Sequence, residues 1–130
     1  MPRPFLVDTD VLIDFLRGHP IAVRFVNEHG DRIIISAMSV AELYAGVRGD
    51  FYEAEQLALA SLLDLFPVVP VSSGIASTGG LFRRDYGRSH GVGLADAVIA
   101  ATAVSSDALL KTLNTKHYPM FEGLVPAYRR

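Results

Sequence analysis

The chain has 130 residues, half of them hydrophobic and 20% charged, a balance that favours a single folded domain with its own core over disorder. It has no cysteine, which excludes a disulfide framework and a cysteine zinc site and makes a reducing, cytoplasmic setting the expected one. The net charge of −2 excludes a bulk polycation. The charge is nevertheless uneven: residues 1–80 carry 5 Lys/Arg against 10 Asp/Glu, and residues 81–130 carry 7 against 4. Only the second part could supply the basic stripe a nucleic-acid partner leaves. A carboxylate cluster holding divalent metal would also add positive charge back.

In chain order, the opening apolar stretch soon meets Asp8, Asp10 and Asp14, charges a signal-peptide core would not tolerate. No uncharged apolar run reaches the roughly 18 residues of a membrane span. Phe5-Leu6-Val7 reads as a buried strand, and residues 9–17 as a helix ended by Gly18. Residues 21–27 read as a second helix, stopped near Gly30, and the β-branched Ile33-Ile34-Ile35 as a second strand. Val40, Leu43 and Val47 recur at helical spacing before Gly49, and residues 51–65 form an Ala- and Leu-rich helix. Residues 66–71 read as a strand whose prolines confine it to an edge. Ser72 can cap a helix running to about Tyr86, despite Gly79 and Gly80, which each cost about 1 kcal/mol relative to Ala. Residues 94–104 are apolar on nearly every side and read as a buried helix. Residues 108–111 read as a strand, with 123–126 a candidate last one. Strands alternating with helices predict an α/β fold, a parallel sheet covered on both faces, within one domain spanning residues 1–130. In such folds the active site lies beyond the carboxyl ends of the strands.

That rule singles out the acidic residues near those ends. Asp8 ends the first strand, where it is either a helix N-cap or a site residue; Asp10 is a cap or a neighbour of the site. Glu42 follows the second strand, and Ser39-Val40-Ala41-Glu42 matches the S-x-x-E capping box. Yet Glu42 points away from the Val40, Leu43 and Val47 face. Asp96 opens the buried helix, where the helix dipole welcomes it but an unpaired carboxylate is costly, so a cation or an Arg is expected beside it. Asn114 follows the last firm strand, as a turn residue, the cap of a short helix over residues 115–118, or an oxygen donor to the site. A parallel sheet brings Asp8, Glu42, Asp96 and Asn114 to one rim. Three carboxylates and a neutral oxygen suit Mg²⁺ or Mn²⁺, ions that promote phosphodiester cleavage.

The motif blocks carry a resemblance. Val7-Asp8-Thr9-Asp10-Val11-Leu12-Ile13-Asp14 resembles the D-T-[DN]-V-[LI] opening of PIN domains. Ser39-Val40-Ala41-Glu42-Leu43-Tyr44-Ala45-Gly46 is similar to their T/S-x-x-E-L-x-x-G block. Gly93-Leu94-Ala95-Asp96-Ala97-Val98-Ile99-Ala100 resembles the third block, and Thr112-Leu113-Asn114 the T-x-[ND] element. In size and wording the chain looks most like VapC-type toxins. The resemblance implies a three-layer α/β/α sandwich with a parallel sheet of four or five strands. It implies an Mg²⁺- or Mn²⁺-dependent endoribonuclease whose products carry a 5′-phosphate and a 3′-hydroxyl. Asp8 and Asp96 would be direct ligands, and Glu42 a ligand directly or through water. Thr9, Ser39 and Asn114 would support the site by hydrogen bonds, with Asp10 beside them. Asn114 departs from the acidic fourth position and puts a second tightly held metal in doubt. The implied partners are RNA, a cognate antitoxin and a second copy of the chain. The leucine-rich residues 51–65 point to the same apolar contacts.

Arg83, Arg84, Arg88 and His90, with Tyr86 among them, form the densest basic stretch, read as a solvated helix end or an RNA contact. His19, His29, His90 and His117 show no metal-ligand spacing and read as surface or structural. Without cysteine or a suitably placed histidine in the motif blocks, water is the expected nucleophile. Competing readings are a haloacid-dehalogenase-type phosphatase, since Asp8-Thr9-Asp10-Val11 also resembles D-x-D-x-[TV], and a degenerate PIN scaffold that binds RNA or protein without cutting. No G-D-x-x-x-D follows to support the phosphatase, the retained carboxylates disfavour the inert scaffold, and a receiver domain lacks its Asp on the third strand.

Overall fold

The computed structural model describes residues 2–47 and 52–130. Short apolar strands alternate with helices. β1 (Phe5–Val7) leads into α1 (Thr9–Leu16) and α2 (Pro20–His29), and a 3-10 turn (Gly30–Arg32) enters β2 (Ile33–Ser36). α3 (Ala37–Ala45), α4 (Tyr52–Leu65), β3 (Val68–Val69), α5 (Ser73–His90), α6 (Leu94–Ser105) and β4 (Leu109–Lys111) follow, then a 3-10 turn (Thr115–His117). Phe51 and Gly49, expected to start a helix and to follow one, lie outside the described residues.

Among the described residues four strands form a parallel sheet, in the order β3-β2-β1-β4. β1 is central and fully buried, because alternate residues must serve both faces of a sheet covered on each side. Phe5 and Val7 pack with Val11, Leu12, Phe25, Leu59 and Leu62 of α1, α2 and α4. Leu6 faces the other way, toward Ile99, Ala100 and Ala103 of α6. The result is the expected α/β/α sandwich, with four strands. β3 is the edge strand the prolines require, at only two residues.

Three local readings are corrected. The N-cap of α3 is Ser36, whose Oγ accepts the Met38 N–H at 3.0 Å; Ser39 does not cap, since β2 runs directly into the helix and the capping position falls three residues earlier. α5 extends to His90 rather than Tyr86, and ends where Gly91 adopts φ 66°, a left-handed conformation suited to glycine. Residues 123–126 form no strand; the segment after the last 3-10 turn is irregular, tied back by the Ala127 N–H donating to Thr112 O at 2.9 Å.

α5 tolerates its paired glycines because one of them is a contact point. A Cβ on Gly79 would lie 2.9 Å from Val98 Cγ2 and 3.0 Å from Val98 Cα, so α5 and α6 approach to backbone distance there. Gly80 faces open space.

Candidate active site

Asp8 occupies the point where β1 ends and α1 begins. Its backbone N–H donates to Lys111 O of β4 at 2.9 Å, so sheet pairing places it. It is the N-cap of α1, accepting the Thr9 N–H on Oδ1 at 2.8 Å. The cap and site readings therefore coexist in one residue. Its other oxygen, Oδ2, accepts from the Thr112 hydroxyl at 2.7 Å and the Tyr118 hydroxyl at 2.8 Å, and the side chain is buried.

Thr9 links this carboxylate to the next. Its hydroxyl donates to Glu42 Oε1 at 2.7 Å and lies 2.9 Å from the buried Ser39 Oγ. Glu42 is thus turned inward from α3, away from the helix's core face. Asp96 stands in the first turn of α6, whose N-cap, Gly93, offers no side-chain acceptor. Asp96 Oδ1 faces the Tyr118 hydroxyl at 3.3 Å, and Oδ2 lies 3.2 Å from His117 Nδ1. Asp10 accepts the Val11 N–H at 2.7 Å and the Leu113 N–H at 3.0 Å, bracing the segment after β4. Asn114 is exposed; its backbone N–H, rather than its side chain, reaches the Thr112 hydroxyl at 3.1 Å.

The acids feel one another. Burial raises the pKa of Glu42, with the charges of Asp8 and Asp96 adding to the shift against the Thr9 hydrogen bond. Burial and the charge of Asp8 likewise raise Asp96, against the opposing pull of His117 and Tyr118. Asp10 is pushed up to about 6 by burial first and Asp8 second. Among the described residues no Lys or Arg forms an ion pair with any of these four carboxylates. Buried like charges without a counter-charge are costly. This hard-oxygen donor set, short of positive charge, suits a divalent cation in both ligand type and charge. As placed, no three Asp, Glu or His groups among the described residues are gathered closely enough to share one ion.

The structure thus brings Asp8, Glu42, Asp96, Thr9, Ser39 and Asp10 into one neighbourhood, to which Asn114 is joined by its backbone N–H through Thr112. Arg83, Arg84 and Arg88 lie on α5, and Arg84 pairs with Asp85 at 2.9 Å. None of the three is bonded to the acidic group among the described residues. Two contributors escaped the sequence reading. His117, read as surface or structural, places Nδ1 3.2 Å from Asp96 Oδ2, where an Arg or a cation was expected. Tyr118 bridges Asp8 and Asp96. Their one signal was position, directly after the strand that pairs with β1.

The family described as PIN domain matches residues 5–120. The chain belongs to the PIN domain family. Ribonuclease VapC19 of Mycobacterium tuberculosis is 40% identical over 127 residues, covering 95% of this chain and 98% of that protein. Ribonuclease VapC10 of the same organism is 45% identical over 127 residues, covering 95% and 92%. Among solved structures, a toxin-antitoxin complex from Klebsiella pneumoniae superposes with a TM-score of 0.79 at 30% identity, covering 96% of this chain and 98% of that one. DNA-bound VapBC from Salmonella typhimurium shares the PIN fold, with a TM-score of 0.81 at 23% identity over 95% and 96%. No helix among the described residues is long and apolar enough to cross a membrane.

Proposed function

We propose that this PIN domain is a divalent-metal-dependent endoribonuclease and the toxin of a toxin–antitoxin pair. The observation that carries the site is the set of three coupled carboxylates, Asp8, Glu42 and Asp96, with raised proton affinity on two of them and no Lys or Arg counter-ion among the described residues. Asp8 and Asp96 would hold Mg²⁺ or Mn²⁺ directly, and Glu42 directly or through water. A divalent ion held there would supply polarisation of a phosphoryl oxygen and a water nucleophile near neutral pH. The chain's own part is orientation. Thr9 fixes Glu42, Thr112 and Tyr118 fix Asp8, and His117 holds one oxygen of Asp96. A phosphatase using Asp8 as a covalent nucleophile is disfavoured, because Asp8 is buried beneath two hydroxyl donors.

Relatives and exposed apolar surface support the proposed partners. The relatives are named ribonucleases, and one structural neighbour at 30% identity is a toxin–antitoxin complex. An apolar groove of about 390 Å³, lined by Ile13, Leu16, Leu43, Val47 and Leu59, opens beside Glu42 and suits an antitoxin segment. Leu57 and Leu65 on α4 are largely exposed, as a homodimer or antitoxin contact requires. Light scattering at micromolar concentration should give about twice the monomer mass; a clean monomer would remove the homodimer.

The decisive experiment is RNA cleavage by protein shown free of contaminating nuclease. EDTA should abolish it, Mg²⁺ or Mn²⁺ should restore it, and products should carry 5′-phosphate and 3′-hydroxyl ends. Asp96→Asn should keep the fold and lose most activity. Full cleavage in EDTA, or cyclic-phosphate ends, would defeat the mechanism.

A further inference from the structure

Tyr118 is 1% exposed, yet its hydroxyl reaches two carboxylates, those of Asp8 and Asp96. Its ring is held by core packing with Leu6, Ile99 and Leu110, which aims the hydroxyl rigidly. That oxygen lies 2.8 Å from Asp8 Oδ2 and 3.3 Å from Asp96 Oδ1. A phenol has one proton, shared here as an unequal three-centre bond, chiefly with Asp8 at the shorter contact and more weakly with Asp96. The preceding residue, His117, holds the other oxygen of Asp96 at 3.2 Å. One short turn after β4 therefore grips two carboxylates that arrive from different elements, β1 and α6. With Thr9 and Thr112 added, each oxygen of Asp8 and Asp96 has a neighbouring protein donor.

We propose that Tyr118, assisted by His117, is a positioning residue that holds the Asp8 and Asp96 carboxylates in register for a divalent cation, through the shared reach of its hydroxyl. This rests on the metal-site reading given above. A plain core tyrosine would contribute only packing and a satisfied hydroxyl. A positioning tyrosine restricts carboxylates that must otherwise be ordered when the ion arrives, so its loss is felt in ion affinity and turnover. Donors that orient metal ligands commonly contribute 10–100-fold to affinity or activity.

Tyr118→Phe keeps the ring and removes only the hydroxyl. Tyr128→Phe is the control, because it also removes a tyrosine hydroxyl bonded to a buried carboxylate, Asp14 at 2.7 Å, outside the site. Mn²⁺ binding is measured by calorimetry on the full chain, and kcat and KM are measured on RNA. Tyr118→Phe should weaken Mn²⁺ binding by roughly tenfold and lower kcat comparably, with KM for RNA within about twofold. Tyr128→Phe should leave Mn²⁺ affinity unchanged. His117→Gln, at a half-exposed side chain, tests the second half of the grip and should weaken Mn²⁺ binding several-fold. Mn²⁺ affinity within about twofold of wild type, or tighter, in either site variant overturns the proposal. Wild-type protein that binds no Mn²⁺ fails differently: it sinks the metal-site reading itself and this inference with it.

Discussion

Asp10 and Asp14 lie one turn apart on α1 in opposite electrical situations. Asp10 is buried beside Asp8 and its carboxyl is pushed up from 3.8 to about 6. Between about pH 4 and pH 6 the native state therefore binds more protons than the unfolded chain, and stability falls as pH rises through that window. Glu42 and Asp96 shift the same way. At Asp14 burial also raises the pKa, but hydrogen bonds from Tyr128 and Arg130 outweigh it and hold the group below its ordinary value. Its contribution is present above that ordinary value and is lost as pH falls through the lower folded one. In EDTA the melting temperature should fall between pH 5 and pH 7, with Asp10 contributing about 1–2 kcal/mol after allowance for its partial exposure. Asp10→Asn should flatten that slope, and circular-dichroism melts at the two pH values would measure it. A rise over the same interval would show the negative charge balanced by some other group. Asp8 and Glu42 were legible because each comes after a strand in the sequence, and Asp96 because it opens an otherwise apolar helix. Tyr118 and His117 were not, because nothing local to residues 117–118 says which carboxylates the fold will set beside them.

The elements were legible where periodicity was strong and misread where two local signals competed. The Ile33–Ser36 strand and the apolar Leu94–Ser105 helix declare themselves by composition. The S-x-x-E pattern at Ser39 misled because Ser36, three residues earlier, is an equally good cap. Only the end of β2 decides between them. The glycine pair in α5 is the opposite case, a weakness in propensity explained by packing against α6. It yields a paired prediction. Gly79→Ala gains helix propensity of about 1 kcal/mol but drives a methyl against Val98, including its backbone, at 2.9–3.0 Å. Overpacking that a side-chain rotation cannot relieve costs typically about 1–3 kcal/mol and should win. Gly80→Ala meets open space and should stabilise by up to about 1 kcal/mol. Urea unfolding of the two variants should move in opposite directions; stabilisation by both would show that α5 and α6 separate freely at Gly79.

The whole molecule is closed by its last residues in a way no local pattern announced. After β4 the chain turns across the end of the sheet, and Ala127 bonds back to Thr112, whose hydroxyl supports Asp8. Tyr128 then donates to Asp14 Oδ2 at 2.7 Å, while Arg130 donates to both Asp14 oxygens at 3.0 Å. Tyr128 also packs at 5.9 Å from Phe25 of α2. One strap therefore joins β4, α1 and α2, and α1 is the helix that Asp8 caps. Asp14 is 5% exposed, so its charge is tolerated only because these donors satisfy it. Asp14→Ala removes the anchor and leaves the Tyr128 hydroxyl without its acceptor. Hydrogen bonds to a charged group are worth about 1.5–3 kcal/mol each, shared here with solvent on the Arg130 side, so the variant should lose about 2–3 kcal/mol. Denaturant unfolding at pH 7 measures that loss. Because Asp14 anchors the last residues, limited proteolysis should cut the variant first between Leu124 and Arg130. Cleavage elsewhere first, with wild-type stability, would mean that the strap merely lies on the surface.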